Sequence, residues 1–513
     1  MAAHAAASAP SLLGRAILAI LLMIGFYILA LSIAAALLLI VCAEIWVAHR
    51  INLQITFFCL AGAGVILWSL IPRPDTFVAP GPLLLEKSFP RLFVELERTA
   101  QRVGQSMPGE VYLVPDVNAW VSQRGGVMGI GSRRIMGVGL PLLQVLTVRE
   151  LRAVLAHEFG HYHGGDTALG PWIYSTRAAI GRTLVQLAER SRFLTIPFRI
   201  YGALFLRVTH AISRAQEYAA DALSVRTEGA PAMASALRKI DRAAALFPAY
   251  WQQEVAAVLQ AGFRPPITAG FVEFMRTVER DNLVNEEALR KAAEAEDPYD
   301  THPPLARRLE ALEKVAASRP SGEQDQHAAD VLPAIRLAGD PDTLESIFFG
   351  SIDSLTPALR PKFAPIRWDE VGHRVYVPMI KQVVTREAPV LRGVTFRALS
   401  PKLLESWSDR LAANTGKAPW NEQVRSYAAH VTESAVLLAL IDRGWEVRVE
   451  MAKPIVLARG EQQVAPATKV RELAQGQLSE DDWLAWCNML EIADLELVPG
   501  EFRAPARPAQ SAG

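Results

Sequence analysis

Cysteine is scarce in this 513-residue chain, with three in all. An odd number, two of them inside apolar stretches, cannot build the disulfide framework of a secreted protein. Cys42, Cys59 and Cys487 fit a reducing compartment instead. An excess of charge is missing as well: 53 Lys plus Arg balance 53 Asp plus Glu. Without a basic excess, nucleic-acid binding has no electrostatic support, and no nucleic-acid partner is expected. No convincing internal repeat is present, so the length implies two to four distinct folding units.

The absence that says most is local. Between Arg15 and Glu44, Ala16 to Ala43 runs 28 residues without a charge. As a helix this run would reach about 42 Å against about 30 Å of hydrocarbon, which predicts a membrane span that tilts or overhangs. A second uncharged run, Ile51 to Ile71, ends at Pro72. A cleaved signal peptide has an apolar region about half as long as the first run, and no second span close behind it. The basic residues Arg15, Arg50, Arg73, Lys87 and Arg91 favour a cytoplasmic N-terminus, a short external hairpin and a cytoplasmic main body. The expected localisation is an integral membrane protein with its main body cytoplasmic.

The expected organisation is a membrane anchor over 1–82, with spans at about 16–43 and 51–71, a main domain over 83–321, an accessory domain over 322–502 and a disordered tail over 503–513. A charged helix is expected over Pro90 to Gly104. Short β-like runs punctuated by glycine follow between Glu110 and Leu140, and helical patterns cover Thr176 to Arg192, Leu204 to Thr227, Pro231 to Phe247 and Asn285 to Glu294. Phe193 to Ile212 is apolar but holds Arg199, Arg207 and Pro197. Each mid-bilayer Arg would cost at least about 2.5 kcal/mol, so a partly buried or interfacial helix is the expectation. The polar stretch from Gly322 to Gln326 reads as a linker. Beyond it, strand-like runs at Val375 to Ile380 and Val447 to Leu457 alternate with helix-like runs at Pro401 to Ala413, Gln423 to Asp442 and Thr468 to Leu490.

The chemistry concentrates on one helix. Thr147 and Glu150 form a T-x-x-E capping box that starts it, and His157, Glu158, Phe159, Gly160 and His161 form an H-E-x-x-H pattern on it. Side chains four apart share a helical face, so both imidazoles can reach one zinc ion while Glu158 points at the water bound to it. Taken alone, the segment also fits two surface histidines on an amphipathic helix. Gly160 lowers helix propensity by about 1 kcal/mol against Ala and needs a packing or access reason. Hydrolytic zinc requires a third protein ligand. The best candidate downstream is Glu217, with Asp221 one turn on, placed to accept a hydrogen bond from a ligand histidine. His210 lies seven residues before Glu217, about 10.5 Å along the axis, too far for both to share an ion. His163 points to another side of its helix from His161 and is expected near Asp166.

These residues resemble the HtpX-type membrane zinc metallopeptidases, gluzincins whose family also includes the CAAX prenyl endopeptidase. The resemblance runs from Asn118 to about Arg308. It rests on Asn118 and Ala119 ahead of a glycine-rich strand, Gly139-Leu140, the segment Val154 to His161, Arg214 with the segment Glu217 to Asp221, and Thr301-His302-Pro303-Pro304 followed by Arg308. It implies a mainly α fold with a small β-sheet, a zincin-like metallopeptidase domain, behind two N-terminal transmembrane helices. The C-terminal α/β accessory domain is an addition to it. It further implies one zinc ion per chain held by His157, His161 and Glu217, with Asp221 and Arg308 supporting the site. His302 lines that site, either stabilising the oxyanion or capping the zinc at rest, and Asn118 and Ala119 begin a substrate-binding edge. Many relatives carry further spans between the H-E-x-x-H helix and the third ligand, where this chain has several arginines.

The expected activity is zinc-dependent endopeptidase hydrolysis with Glu158 as general base. The expected partners are the lipid bilayer, an extended polypeptide and a protein partner recruited by the C-terminal domain. Membrane-protein quality control is the use that the resemblance suggests; the alternatives are processing of a narrow substrate set under C-terminal regulation and a non-catalytic zinc scaffold.

Overall fold

The computed structural model describes residues 12–71, 77–124, 132–161, 170–188, 191–281, 303–317, 328–355, 363–407 and 422–498. The helix expected over Asn285 to Glu294, the linker at 322–326 and the tail at 503–513 lie outside them. The chain divides into two compact units, Met1–Phe247 with Val284–Leu359, and Pro248–Leu283 with Arg360–Gly513.

In the first unit the two uncharged runs form α1 (Leu12–Trp46) and α2 (Leu53–Leu70), both long and apolar enough to cross a bilayer. The hairpin between them has local causes. Asn52 caps α2, its side-chain oxygen accepting from the Gln54 and Ile55 amides, and Thr56 donates its hydroxyl to Glu44 at 2.7 Å. Small residues let the pair close: a Cβ on Gly62 would lie 3.1 Å from Leu37.

Two further helices join this apolar bundle, α6 (Gly170–Ala188) and the first half of α7 (Arg192–Glu228). Phe26, Ala30, Cys59, Ile66, Ile180 and Phe198 share one buried core. Polar contacts fix the packing, because the Ser69 and Thr183 hydroxyls meet at 2.6 Å and Arg182 donates twice to the Ser69 carbonyl. The stretch expected to be partly buried or interfacial is thus the start of α7, with Leu194, Phe198 and Phe205 buried and Ile196, Ile200 and Leu204 exposed.

Next to the bundle stands a four-stranded sheet of order β1-β2-β4-β3, with β1 (Leu83–Leu84), β2 (Glu110–Val114), β3 (Ala119–Arg124) and β4 (Arg133–Gly139). β3 is an edge strand, antiparallel to β4, and β2 runs parallel to β4. Helix α3 (Pro90–Arg102) buries Leu92, Leu96 and Ala100 in a core shared with Val111, Leu113, Met136 and Val138. After the short α4 (Leu140–Val145), α5 (Val148–Gly160) enters the same core through Leu151, Leu155 and Phe159.

The boundary expected near residue 322 is not where the compact units divide. Residues 328–355 belong to the first unit, because they complete the bed of α5. The Val148 amide donates to the Leu332 carbonyl at 2.9 Å, the Ala334 amide donates to Leu146 at 2.8 Å, and Ile335, Leu344 and Phe348 enter the core around Leu151.

The second unit is α/β. Its helices Val377–Leu391 and Glu422–Ile441 and a three-stranded antiparallel sheet enclose a core with Val384, Phe396, Val431, Leu438 and Trp483. Trp483 satisfies its buried indole on the Phe396 carbonyl at 2.8 Å. Residues 248–283 contribute through a short parallel pairing of Phe263–Arg264 with Ala364–Pro365. The strand expected at Val375 to Ile380 is helical, a π turn at Gly372–Tyr376 running into Val377–Leu391. Its β-branched residues bury at four-residue spacing, Val371 with Val375 and Ile380 with Val384, so tertiary packing overrides local β-propensity. Val447 to Leu457 is two strands, Glu446–Arg448 and Val456–Arg459, paired antiparallel.

Candidate metal centre

α5 starts as its sequence dictates. The Thr147 hydroxyl accepts from the Glu150 amide and Glu150 accepts from the Thr147 amide, the reciprocal capping box. Glu150 is then held by Ser235 at 2.6 Å and Lys239 at 2.7 Å. All of α5 except Arg149 and Glu158 is buried. That excludes an amphipathic surface helix carrying two solvated histidines.

The bed of α5 is ionic as well as apolar. Arg152, 4% exposed, reaches Glu95, Glu228 and Asp330 together, a cluster that no sequence spacing announced. Along the seam with α7, the Ser224 hydroxyl donates to the Ala153 carbonyl at 2.7 Å. Gly160 has its packing reason here, since a Cβ there would lie 3.1 Å from Ala220 Cα and 3.2 Å from Ala220 Cβ on α7.

This close approach sets Glu217 opposite the two histidines. Its carboxylate oxygens stand 3.5 Å from His157 Nε2 and 3.4 Å from His161 Nε2. Asp221, one turn on, lies 2.9 Å from His157 Nδ1, which orients that ring and leaves Nε2 facing Glu217. Arg308, on the helix Leu305–Ala317, donates to both Asp221 oxygens, at 2.6 and 2.9 Å, and comes within 3.7 Å of Glu217.

The electrostatics follow from burial and neighbours. Burial opposes ionisation of Glu217 and Asp221, but His157 and Arg308 outweigh it and hold both near 2. Burial alone would lower the His157 pKa, yet hydrogen bonds to Asp221 and Glu217 lift it to about 9. Burial raises the Glu158 carboxyl to about 7, with the Glu217 charge adding to the rise and His157 and Arg308 opposing it.

The donor set fits a dication. A tetrahedral ion with bonds of about 2.0–2.1 Å spaces its ligand atoms about 3.3 Å apart, close to the separations between Glu217 and each imidazole. The ligand-capable atoms of His157, Glu158 and His161 also lie within 4.8 Å of one another. Glu158 has a second partner, accepting a hydrogen bond from the Val121 amide on β3.

That contact brings the sheet edge to the site. The Asn118 carbonyl accepts from the Gly139 amide, so strand alternation turns the backbone groups of Trp120 and Ser122 toward β4 and those of Ala119, Val121 and Gln123 to the outer edge, where no strand pairs with them among the described residues. Gly139 permits the crossing, because a Cβ there would overlap the Asp116 carbonyl. Val121 was not singled out in the sequence, and only its place on an edge strand could have marked it. His210 is buried on α7, seven residues before Glu217. His302 and His163 lie outside the described residues.

The chain is similar to known peptidases. Residues 86–316 match peptidase family M48. A protease HtpX homolog of Trichormus variabilis is 31% identical over 185 residues, 32% of this chain and 61% of that protein. One from Paraburkholderia phytofirmans is 30% identical over 204 residues, 36% of this chain and 68% of that protein. The protease HtpX of Klebsiella pneumoniae is 27% identical over 241 residues, 42% of this chain and 69% of that protein. No solved structure matches the chain significantly. The matched span holds α5, Glu217 and Arg308, and with the two apolar helices ahead of it the chain belongs to peptidase family M48, among its HtpX-type metallopeptidases.

Proposed function

We propose that this chain is a membrane-anchored zinc endopeptidase that cuts polypeptides bound in extended form. The observation that carries the reading is the convergence of two imidazoles and one carboxylate from helices far apart in sequence, with the carboxylate at the spacing from each imidazole that a tetrahedral ion requires. His157, His161 and Glu217 would hold the ion, and Glu217 is preferred over Glu158 as third ligand because it closes on both histidines. A zinc ion held there supplies Lewis acidity toward the scissile carbonyl and makes water a better nucleophile near neutral pH.

The remaining roles belong to the chain. Glu158, lifted to about 7, is suited to take a proton from the attacking water and return it to the leaving amine. His302 is proposed to donate a hydrogen bond to the oxyanion. An extended substrate would add to β3, pairing with the outward backbone groups of Ala119 and Gln123 and with the Val121 carbonyl, with Asn118 at the strand entrance. Recognition through backbone groups favours unfolded segments, so damaged or misassembled membrane proteins are the proposed substrate class.

Glu158→Gln in the purified, detergent-solubilised protein separates binding from chemistry. Zinc content should stay at the wild-type level while cleavage of an unfolded model protein falls roughly 10²- to 10⁴-fold. Unchanged cleavage would remove Glu158 from its role.

A further inference from the structure

Residues 170–212 hold six arginines, Arg177, Arg182, Arg190, Arg192, Arg199 and Arg207, against one acid, Glu189, in a chain whose total charge is zero. Its described residues form α6 and the first half of α7, whose inner faces pack on the two N-terminal apolar helices. Two of the arginines are absorbed inside the bundle, Arg182 on the Ser69 carbonyl and Arg177 on the Thr209 hydroxyl.

The outer face of α7 is different. Arg192, Arg199 and Arg207 are exposed, and among the described residues none is paired with a carboxylate. Between them Phe193, Ile196, Ile200 and Leu204 are 80%, 44%, 66% and 49% exposed. At 3.6 residues per turn, all seven side chains fall within an arc of roughly 140°. Water leaves the four apolar groups uncovered, and hydrocarbon strands three charges. The headgroup layer of an anionic bilayer satisfies both, taking the apolar groups into the acyl boundary while the arginine stems snorkel to phosphate.

We propose that the outer face of α7 from Arg192 to Arg207 is a docking surface for anionic phospholipid. α7 shares its buried core with α1 and α2, and those helices leave apolar residues exposed as well, such as Ile24, Ile28 and Leu60. A second copy of the chain fits less well, because a two-fold contact would set one cationic face against another. The proposal does not depend on the zinc reading. α7 nonetheless runs unbroken from this face to Glu217 and Asp221, so lipid engagement and the metal centre share one helix.

The test is lipid selectivity of the full chain. The protein is reconstituted in vesicles of phosphatidylcholine with phosphatidylglycerol, re-extracted, and its retained lipids are counted by native mass spectrometry. Wild type should enrich phosphatidylglycerol over phosphatidylcholine. The triple change Arg192→Gln, Arg199→Gln, Arg207→Gln should lower that enrichment, by roughly fivefold per arginine at most. Lysine at the same three positions should keep most of it, which decides the matter if the glutamine variant does not fold. Equal retention of the two lipids by wild type overturns the proposal. So does undiminished enrichment in the folded glutamine variant, loss of enrichment in the lysine variant, or disulfide-linked dimers of Ile200→Cys in vesicles, which would assign the face to a second copy.

Discussion

His157 is the most constrained residue of the centre. It is 5% exposed, faces Glu217 through one ring nitrogen and Asp221 through the other, and Asp221 is itself gripped at both oxygens by Arg308. Arg308 therefore acts on the site through Asp221, by fixing the group that fixes the imidazole. Asp221→Asn keeps the shape but weakens the acceptor, and zinc affinity should fall about 10- to 100-fold with the fold intact. Zinc titration against a competing chelator measures this, and unchanged affinity would make Asp221 a purely structural residue. At this scale much was legible. His157, Glu158 and His161 are spaced by helical periodicity alone, whereas Glu217 and Asp221 form a pair that any solvated helix could carry and became identifiable only beside the first motif. Arg152 was not legible, because its three carboxylate partners lie on separate segments.

Among the elements, the decisive contact is α5 against α7, and its tightest point is Gly160. Alanine there gains about 1 kcal/mol of helix propensity but places a methyl group 3.1–3.2 Å from Ala220. Two helix backbones cannot yield as a flexible side chain can. Gly160→Ala should therefore be destabilising, with overpacking of about 1–3 kcal/mol, and should lower zinc occupancy because His161 and Glu217 would be driven apart. Thermal unfolding with parallel metal analysis checks both, and a variant more stable than wild type with full zinc would contradict the close approach. The helix itself could be read in advance because its capping box, apolar stripe and motif all agree. Val375 to Ile380 reads as a strand by its local β-branched density, but the four-residue spacing of the side chains buried around it makes it helical.

For the whole molecule, the two apolar helices and the order of anchor, peptidase and α/β unit follow from composition. The division between the last two does not. A polar stretch near residue 322 looks like a domain linker, yet the chain beyond it returns to α5 through backbone pairing at Leu332 and Ala334 and through Leu344, which is fully buried. Long-range pairing of this kind leaves no periodic trace in the sequence. Leu344→Ala should consequently behave as a core truncation of the peptidase unit, losing about 2–5 kcal/mol and releasing zinc at a lower temperature than wild type. If zinc release were unaffected, the segment would belong to an independent accessory domain.

The central claim is that Glu217 closes one metal site with His157 and His161. Zinc per chain, measured by mass spectrometry on purified wild type and Glu217→Ala with circular dichroism to confirm folding, tests it most directly. The expected result is about one zinc per wild-type chain and strongly reduced occupancy in the folded variant. Equal zinc in both, or none in wild type, would contradict it.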